Sequence, residues 1–119
     1  MPSLVVCIRR KPDLTHEEFD RHWKDVHAPL IRGCAAFAKH LRRYSQYHLP
    51  QSDGEAGGLF GGTGGFDGVA VLEFDTNEAM AAAFSEPDYI ARVQPDEHRF
   101  VDLENCLSFH TERFDVIVN

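Results

Sequence analysis

Apolar residues at Phe19, Trp23, Val26 and Leu30 recur at helical spacing and predict an amphipathic helix opening at Thr15. Thr15 and Glu18 stand three apart as a capping box, with Leu14 and Phe19 placed for a hydrophobic staple around it. Pro29 breaks the pattern. It has no N–H, so the Asp25 carbonyl loses its helical donor and the chain is expected to kink between Val26 and Ala28. Gly33 is then expected to end the segment in a left-handed conformation.

Around this helix the pattern changes to runs typical of strands. Residues 4–10, closed by Lys11-Pro12-Asp13, predict a first strand, and residues 41–49, with Tyr44 and Tyr47 and closed by Pro50, a second. In the third, residues 68–74, Ala70, Leu72 and Phe74 alternate with Val69, Val71 and Glu73, and residues 106–116 supply the last. Asp75 and Glu78 have the spacing of a variant capping box for a second helix, whose buried face is Ala79, Met80, Ala83 and Phe84 and which Pro87 stops. Two short helical pieces follow, at 88–93 and from Pro95 through Phe100. Seven of the nine glycines lie between Ser52 and Gly65 with no Lys-Ser or Lys-Thr after them, which excludes a phosphate-cradling loop and leaves a long hairpin connection or a lid over a ligand. The order strand, helix, strand, strand, helix, strand is the split βαβ plan of an α+β, ferredoxin-like fold, a four-stranded antiparallel sheet with helices on one face. The bare sheet face needs covering, and a homodimer packing two sheets face to face is the economical solution.

Composition narrows the function classes. The 119 residues suit one domain, and a formal net charge of −7 argues against nucleic acid as a partner. Arg9-Arg10-Lys11 and Arg42-Arg43 read as strand ends and exposed faces, either of which could meet a substrate carboxylate. Cys7, Cys34 and Cys106 are odd in number and form no Cys-x-x-Cys pair, so neither a disulfide framework nor a thiolate metal site is expected. No apolar run approaches the ~20 residues of a membrane span, and the first residues carry no basic-then-apolar segment, so no membrane association and a cytoplasmic location are expected.

His27, next to the proline break and about 60° from the centre of the apolar stripe, is the candidate for acid–base chemistry. The simpler reading is a boundary histidine that packs or caps. An imidazole that moves protons near neutral pH needs an orienting partner, an apolar wall and a second acid. Trp23, one turn earlier, is placed to be the wall, and Tyr44, Tyr47, His48 and Glu73 are the candidate donors and acceptors for substrate. Strand alternation puts Tyr44 and His48 on one face and Tyr47 on the other, which favours the first two; their simpler reading is a sheet packed on its dimer mate. A metal site would have to join His22 and His27 with His48 or His110 and Glu73. Five residues apart on an α-helix, the two imidazoles point roughly 140° apart, and there is no His-Glu-x-x-His, so no metal is expected. His22, His16, His40 and His98 read as surface residues, and the face of His110 is open.

The fragments Thr15-His16-Glu17-Glu18-Phe19, His22-Trp23, His27-Ala28-Pro29-Leu30 and Arg42-Arg43-Tyr44 resemble the EthD family of small dimeric α+β-barrel proteins. Asp67-Gly68-Val69-Ala70, Phe74-Asp75, Asp96-Glu97, Phe100 and Asp102 extend the likeness over nearly the whole chain. The resemblance implies the same ferredoxin-like dimer. It also implies cofactor-free proton transfer on a small aromatic, polyketide or lactone substrate, as in the muconolactone isomerases, dehydratases and cyclases that look like this, with His27 at the recurrent histidine. Val71 and Glu73 depart from many relatives, which carry a carboxylate and then, two residues on, Trp. The reading is therefore a lyase or isomerase without cofactor, with two alternatives open: a cofactor-free oxygenase or an oxygenase's accessory protein, and a non-catalytic ligand-binding dimer.

Overall fold

The computed structural model describes residues 1–50, 58–61 and 64–119. Four strands, β1 (Pro2–Ile8), β2 (Leu41–His48), β3 (Gly68–Phe74) and β4 (Leu107–Glu112), form one sheet in the order β2-β3-β1-β4, every pair antiparallel. The helical elements α1 (His16–His22), α2 (Ala28–Arg32), α3 (Ala35–Ala38), α4 (Asn77–Ser85) and α5 (Gln94–Phe100) accompany it. This is the ferredoxin-like plan expected from the order of elements. The glycine-rich connection falls largely on 51–57 and 62–63, outside the described residues, and its hairpin or lid reading goes with them.

Alternation along the strands creates two chemically different faces. On β3, Ala70, Leu72 and Phe74 are buried and pack with Phe19, Trp23, Phe37, Val93 and Phe100 in the core. The register carries that face across the sheet, since Leu72 lies opposite both Leu4 and Tyr44, and Ala70 opposite both Val6 and Gln46. The other face presents Val5, Cys7, Val69 and Val71, all half-buried, with Tyr47, Leu107 and Phe109 exposed.

Several local expectations are corrected. β1 begins earlier than residue 4 and stops at Ile8, Arg10 making only an isolated bridge to Val101. β2 ends at His48, one residue short of the expected boundary. β4 is half the expected length, because β1, the neighbour it pairs with, ends at Pro2 opposite Glu112. Gly33 has φ −81°, so that turn closes in the right-handed region. The cap of α4 is Thr76, whose hydroxyl accepts from the Ala79 N–H at 3.0 Å, while Asp75 is taken by Arg42 at 2.7 Å.

Candidate active site

The first helix opens as its sequence dictates. Thr15 Oγ1 accepts from the Glu18 N–H at 3.0 Å, and Glu18 Oε1 accepts from the Thr15 N–H at 2.8 Å. After His22 the chain leaves the α register, and Trp23–His27 is a π-helical turn in which the Ala28 N–H reaches the Trp23 carbonyl. Pro29 explains its position. With no proline N–H to sustain the α ladder, one residue is absorbed and the turn is widened. The kink expected between Val26 and Ala28 thus takes the form of a bulge, and it resets the faces. Phe19, Trp23, His27 and Ile31 make the buried row, whereas Val26, expected in it, is 45% exposed and Leu30 only half-buried.

The same device recurs in the second half. Tyr89–Val93 is a second π turn, closed by the Gln94 N–H on the Tyr89 carbonyl, and it precedes Pro95 as the first precedes Pro29. It delivers Asp96 and Glu97 at the start of α5, facing the first bulge.

The two bulges meet at Asp96, whose side chain is 0% exposed. Its Oδ2 accepts from His27 Nδ1–H at 2.8 Å, its Oδ1 from His22 Nε2–H at 2.9 Å, and Arg99 Nη1 adds a bond at 3.2 Å. Burial alone would push this carboxyl up. The donors outweigh it and hold Asp96 below the usual carboxylate range. An ionised carboxylate only accepts, so the shared proton sits on His27 Nδ1 and leaves Nε2 with its lone pair. Burial lowers the His27 pKa despite the carboxylate, so the ring is neutral at pH 7. The expected 140° divergence of His22 and His27 is overturned for the same reason: across a π turn, residues five apart stack on one side.

His27 lines a cavity of about 220 Å³ between the helices and the sheet. Trp23 and Phe100 form its walls, the Phe100 ring centroid lying 5.1 Å from that of His27, and Leu4, Val6 and Leu72 form its floor. Gly68 is required where Trp23 crosses the sheet, because a Cβ there would lie 2.4 Å from Trp23 Cζ3. Tyr44, Tyr89, Glu97 and Ser108 are the other polar side chains lining the cavity, with the Cys106 thiol beside them. The Tyr89 hydroxyl donates to Glu97 Oε2 at 2.7 Å. Burial pushes the Glu97 carboxyl up, the Tyr89 bond lowers it in part, and nearby Asp96 raises it again. Burial likewise raises the phenols of Tyr44 and Tyr89.

Of the residues singled out from sequence, His27, Trp23 and Tyr44 share this cavity. His48 stands beyond Trp23, with ring centroids 4.5 Å apart, bonded to Asp20 at 3.0 Å and Gln46 at 2.8 Å. It lines an open outer groove of about 820 Å³ with Asp20, Arg21, Lys24 and Arg32, a larger space whose exposed charges are unsuited to desolvating a reacting group. Glu73 lies on the opposite sheet face, near Arg43 (3.8 Å) and Arg113 (3.4 Å). His110 shares the helix-side face with Leu4 but is exposed on the edge strand β4. Three histidines expected at the surface are half-buried and paired. His16 bonds Asp67 at 2.7 Å and the Leu49 carbonyl at 2.8 Å, His40 bonds Glu86 at 2.8 Å, and His22 bonds Asp96; His98 is exposed as expected. Sequence reasoning missed Asp96 and Glu97, although one signal was there: Val93-Gln94-Pro95 repeats the spacing of His27-Ala28-Pro29.

A family model of the EthD domain matches residues 11–104. No protein of curated function matches the chain. Among solved structures, an ethyl tert-butyl ether degradation (EthD) family protein from Bacillus halodurans superposes with a TM-score of 0.66 at 19% identity, covering 96% of this chain and all of that one. A dimeric ferredoxin-like protein from Bacteroides fragilis gives 0.64 at 14% identity, covering 94% and 95%. A putative antibiotic biosynthesis monooxygenase from Nitrosomonas europaea gives 0.60 at 14% identity, covering 97% and 100%. At these identities the likeness carries the fold alone.

Proposed function

This chain belongs to the EthD domain family, and from that premise and the cavity chemistry we propose that it is a cofactor-independent lyase or isomerase in which His27 moves a proton on a small aromatic, polyketide-like or lactone substrate. The observation that carries this reading is the 2.8 Å bond from His27 Nδ1–H to the buried Asp96 carboxylate. It fixes one tautomer and aims the unprotonated Nε2 at an apolar cavity of about 220 Å³, below the ~300–1,000 Å³ of sites for drug-sized ligands and suited to a compound of one or two rings. A neutral imidazole backed by a carboxylate is a general base; once charged, the same pair is the acid that returns the proton. Trp23 and Phe100 keep water from the reacting atoms, and Tyr44 supplies a polar contact. His48 and Glu73 contact substrate only outside this cavity, if it extends along the groove or across the sheet face.

The active unit is proposed to be a homodimer. The sheet face carrying Val5, Val69, Val71 and Phe109 is apolar and uncovered in the single chain, and a fold relative is described as dimeric.

Simple model compounds suffice for the test. In D2O, exchange of the hydrogens next to the carbonyl groups of small aromatic ketones and lactones is followed by NMR with native protein and with His27→Gln. Catalysed exchange that drops about 10²- to 10⁴-fold in the variant is expected. Exchange that persists in His27→Gln refutes the assignment. Oxygen consumption with the same compounds is the expected result of the oxygenase reading, and binding without exchange that of the ligand-binding one.

A further inference from the structure

The proton acceptor accounts for one wall of the cavity and leaves Glu97 unexplained. This carboxyl is drawn into an apolar space, and among the described residues only the Tyr89 hydroxyl bonds it, through Oε2. Oε1 has no bonding partner among the described residues and is not a buried unpaired atom, so it is accessible, and Glu97 is one of the residues lining the cavity. Burial in this space raises the carboxyl pKa above its ordinary value and favours the protonated form. The Tyr89 O–H as a donor offsets burial only in part, Asp96, next to Glu97 in the chain, opposes a second negative charge, and no cation among the described residues pairs with Glu97. Tyr44 stands close enough for its phenol to sense the same group.

We infer that Glu97, as an un-ionised acid braced by Tyr89, is a second catalytic residue, the donor that receives the oxygen of a carbonyl substrate while His27 enolises it. This rests on the reading of His27 as the base. His27 Nε2 takes the proton from the carbon next to the carbonyl. The C–H electron pair becomes the new C=C bond, the carbonyl π pair moves to oxygen, and the growing negative charge meets the Glu97 O–H. The imidazolium then returns its proton to a different carbon, or a leaving group departs, so no oxidant or reductant is consumed. A protonated carboxyl that donates one hydrogen bond to an oxyanion in a dry pocket stabilises the enolate where water would stabilise it less. The substrate class follows: a neutral carbonyl compound with an acidic neighbouring C–H, in which negative charge develops only at the oxygen that Glu97 meets.

The probe is 4-nitrophenol, a single ring whose oxyanion imitates an enolate and whose colour reports ionisation. Native protein is expected to bind the phenolate, Glu97→Ala to bind it about ten-fold or more weakly, and Glu97→Gln, which keeps an N–H donor and an acceptor for Tyr89, to fall between them. His27→Gln removes the base and not the donor, so in that background the difference between Glu97 and Glu97→Ala in phenolate binding is expected to persist although exchange is lost. Infrared spectra of the unliganded protein at neutral pH should show the carbonyl band of an un-ionised acid that disappears in Glu97→Gln, a signature a packing role does not produce. No phenolate binding by native protein, equal binding by the Glu97 variants, or no such band overturns the inference. Loss of exchange in His27→Gln with unaffected Glu97 variants leaves the base in place and removes only the donor.

Discussion

Asp96→Asn isolates what the buried carboxylate does, because it keeps the shape and removes the charge. Asp96 accepts from His27 at 2.8 Å, His22 at 2.9 Å and Arg99 at 3.2 Å, all without solvent on its side chain. An amide offers one acceptor oxygen in place of two, so at least one imidazole loses its partner. With hydrogen bonds to charged groups worth about 1.5–3 kcal/mol each, the variant should be less stable at pH 7 by about 2–4 kcal/mol. The sign of the pH dependence is specific. The Asp96 carboxyl is depressed from its ordinary 3.8, so its stabilisation is present above that value and lost as pH falls through the folded one. His27, also depressed, from 6.5, is stabilising while neutral and loses that below about pH 6.5. Urea midpoints across pH should therefore fall less toward acid pH in Asp96→Asn than in the native protein, by the part that Asp96 contributes, while the imidazole part remains. Side-chain nitrogen–proton correlation spectra provide the second assay: His27 should be the Nδ1–H tautomer in the native protein and a mixture in the variant, with catalysed exchange down about 10²- to 10⁴-fold. A native His27 carrying its proton on Nε2, or charged at pH 7, would refute the reasoning.

Three further outcomes follow from the same geometry. Gly68→Ala places a methyl 2.4 Å from the Trp23 ring and should cost about 1–3 kcal/mol, with a shift in the emission of Trp23, the only tryptophan, as the local readout; unchanged melting and emission contradict the close approach. The His16 pKa is raised, first by its bond to Asp67, so its stabilisation is fully present below 6.5 and lost as pH rises through the folded value; His16→Gln should thus be more damaging at pH 6 than at pH 8, opposite in sign to the His27 effect, in parallel urea titrations. Val71→Lys puts a charge in the middle of the uncovered sheet face and should convert a dimer to a folded monomer in sedimentation, whereas an unchanged mass moves the interface elsewhere.

Element order, strand alternation and the Thr15 capping box were legible because each is local: period, cap and turn chemistry act within a few residues. His27 was legible as a residue near a proline break, and Trp23 as its wall. What local pattern could not supply was the partner. Extrapolating an ideal 100° per residue from Phe19 buries Val26 and separates His22 from His27, and it fails at Trp23 because Pro29 withdraws an N–H and the turn widens. Asp96 and Glu97 look like ordinary acidic residues at a helix start, which favours negative charge there anyway. Their burial depends on packing against a segment far away in the chain. Glu73 drew attention as a carboxylate on an apolar strand, but period two puts it on the face away from the helices.

That separation along the chain has a kinetic consequence. His27 and Asp96 are 69 positions apart, so neither half holds a working constellation, and the dyad forms only once the sheet has brought both halves together. Closing so long a loop is entropically costly and slow compared with winding either helix. Secondary structure should thus appear well before competence does during refolding, and a nascent or cleaved chain stays chemically silent until its last third has docked.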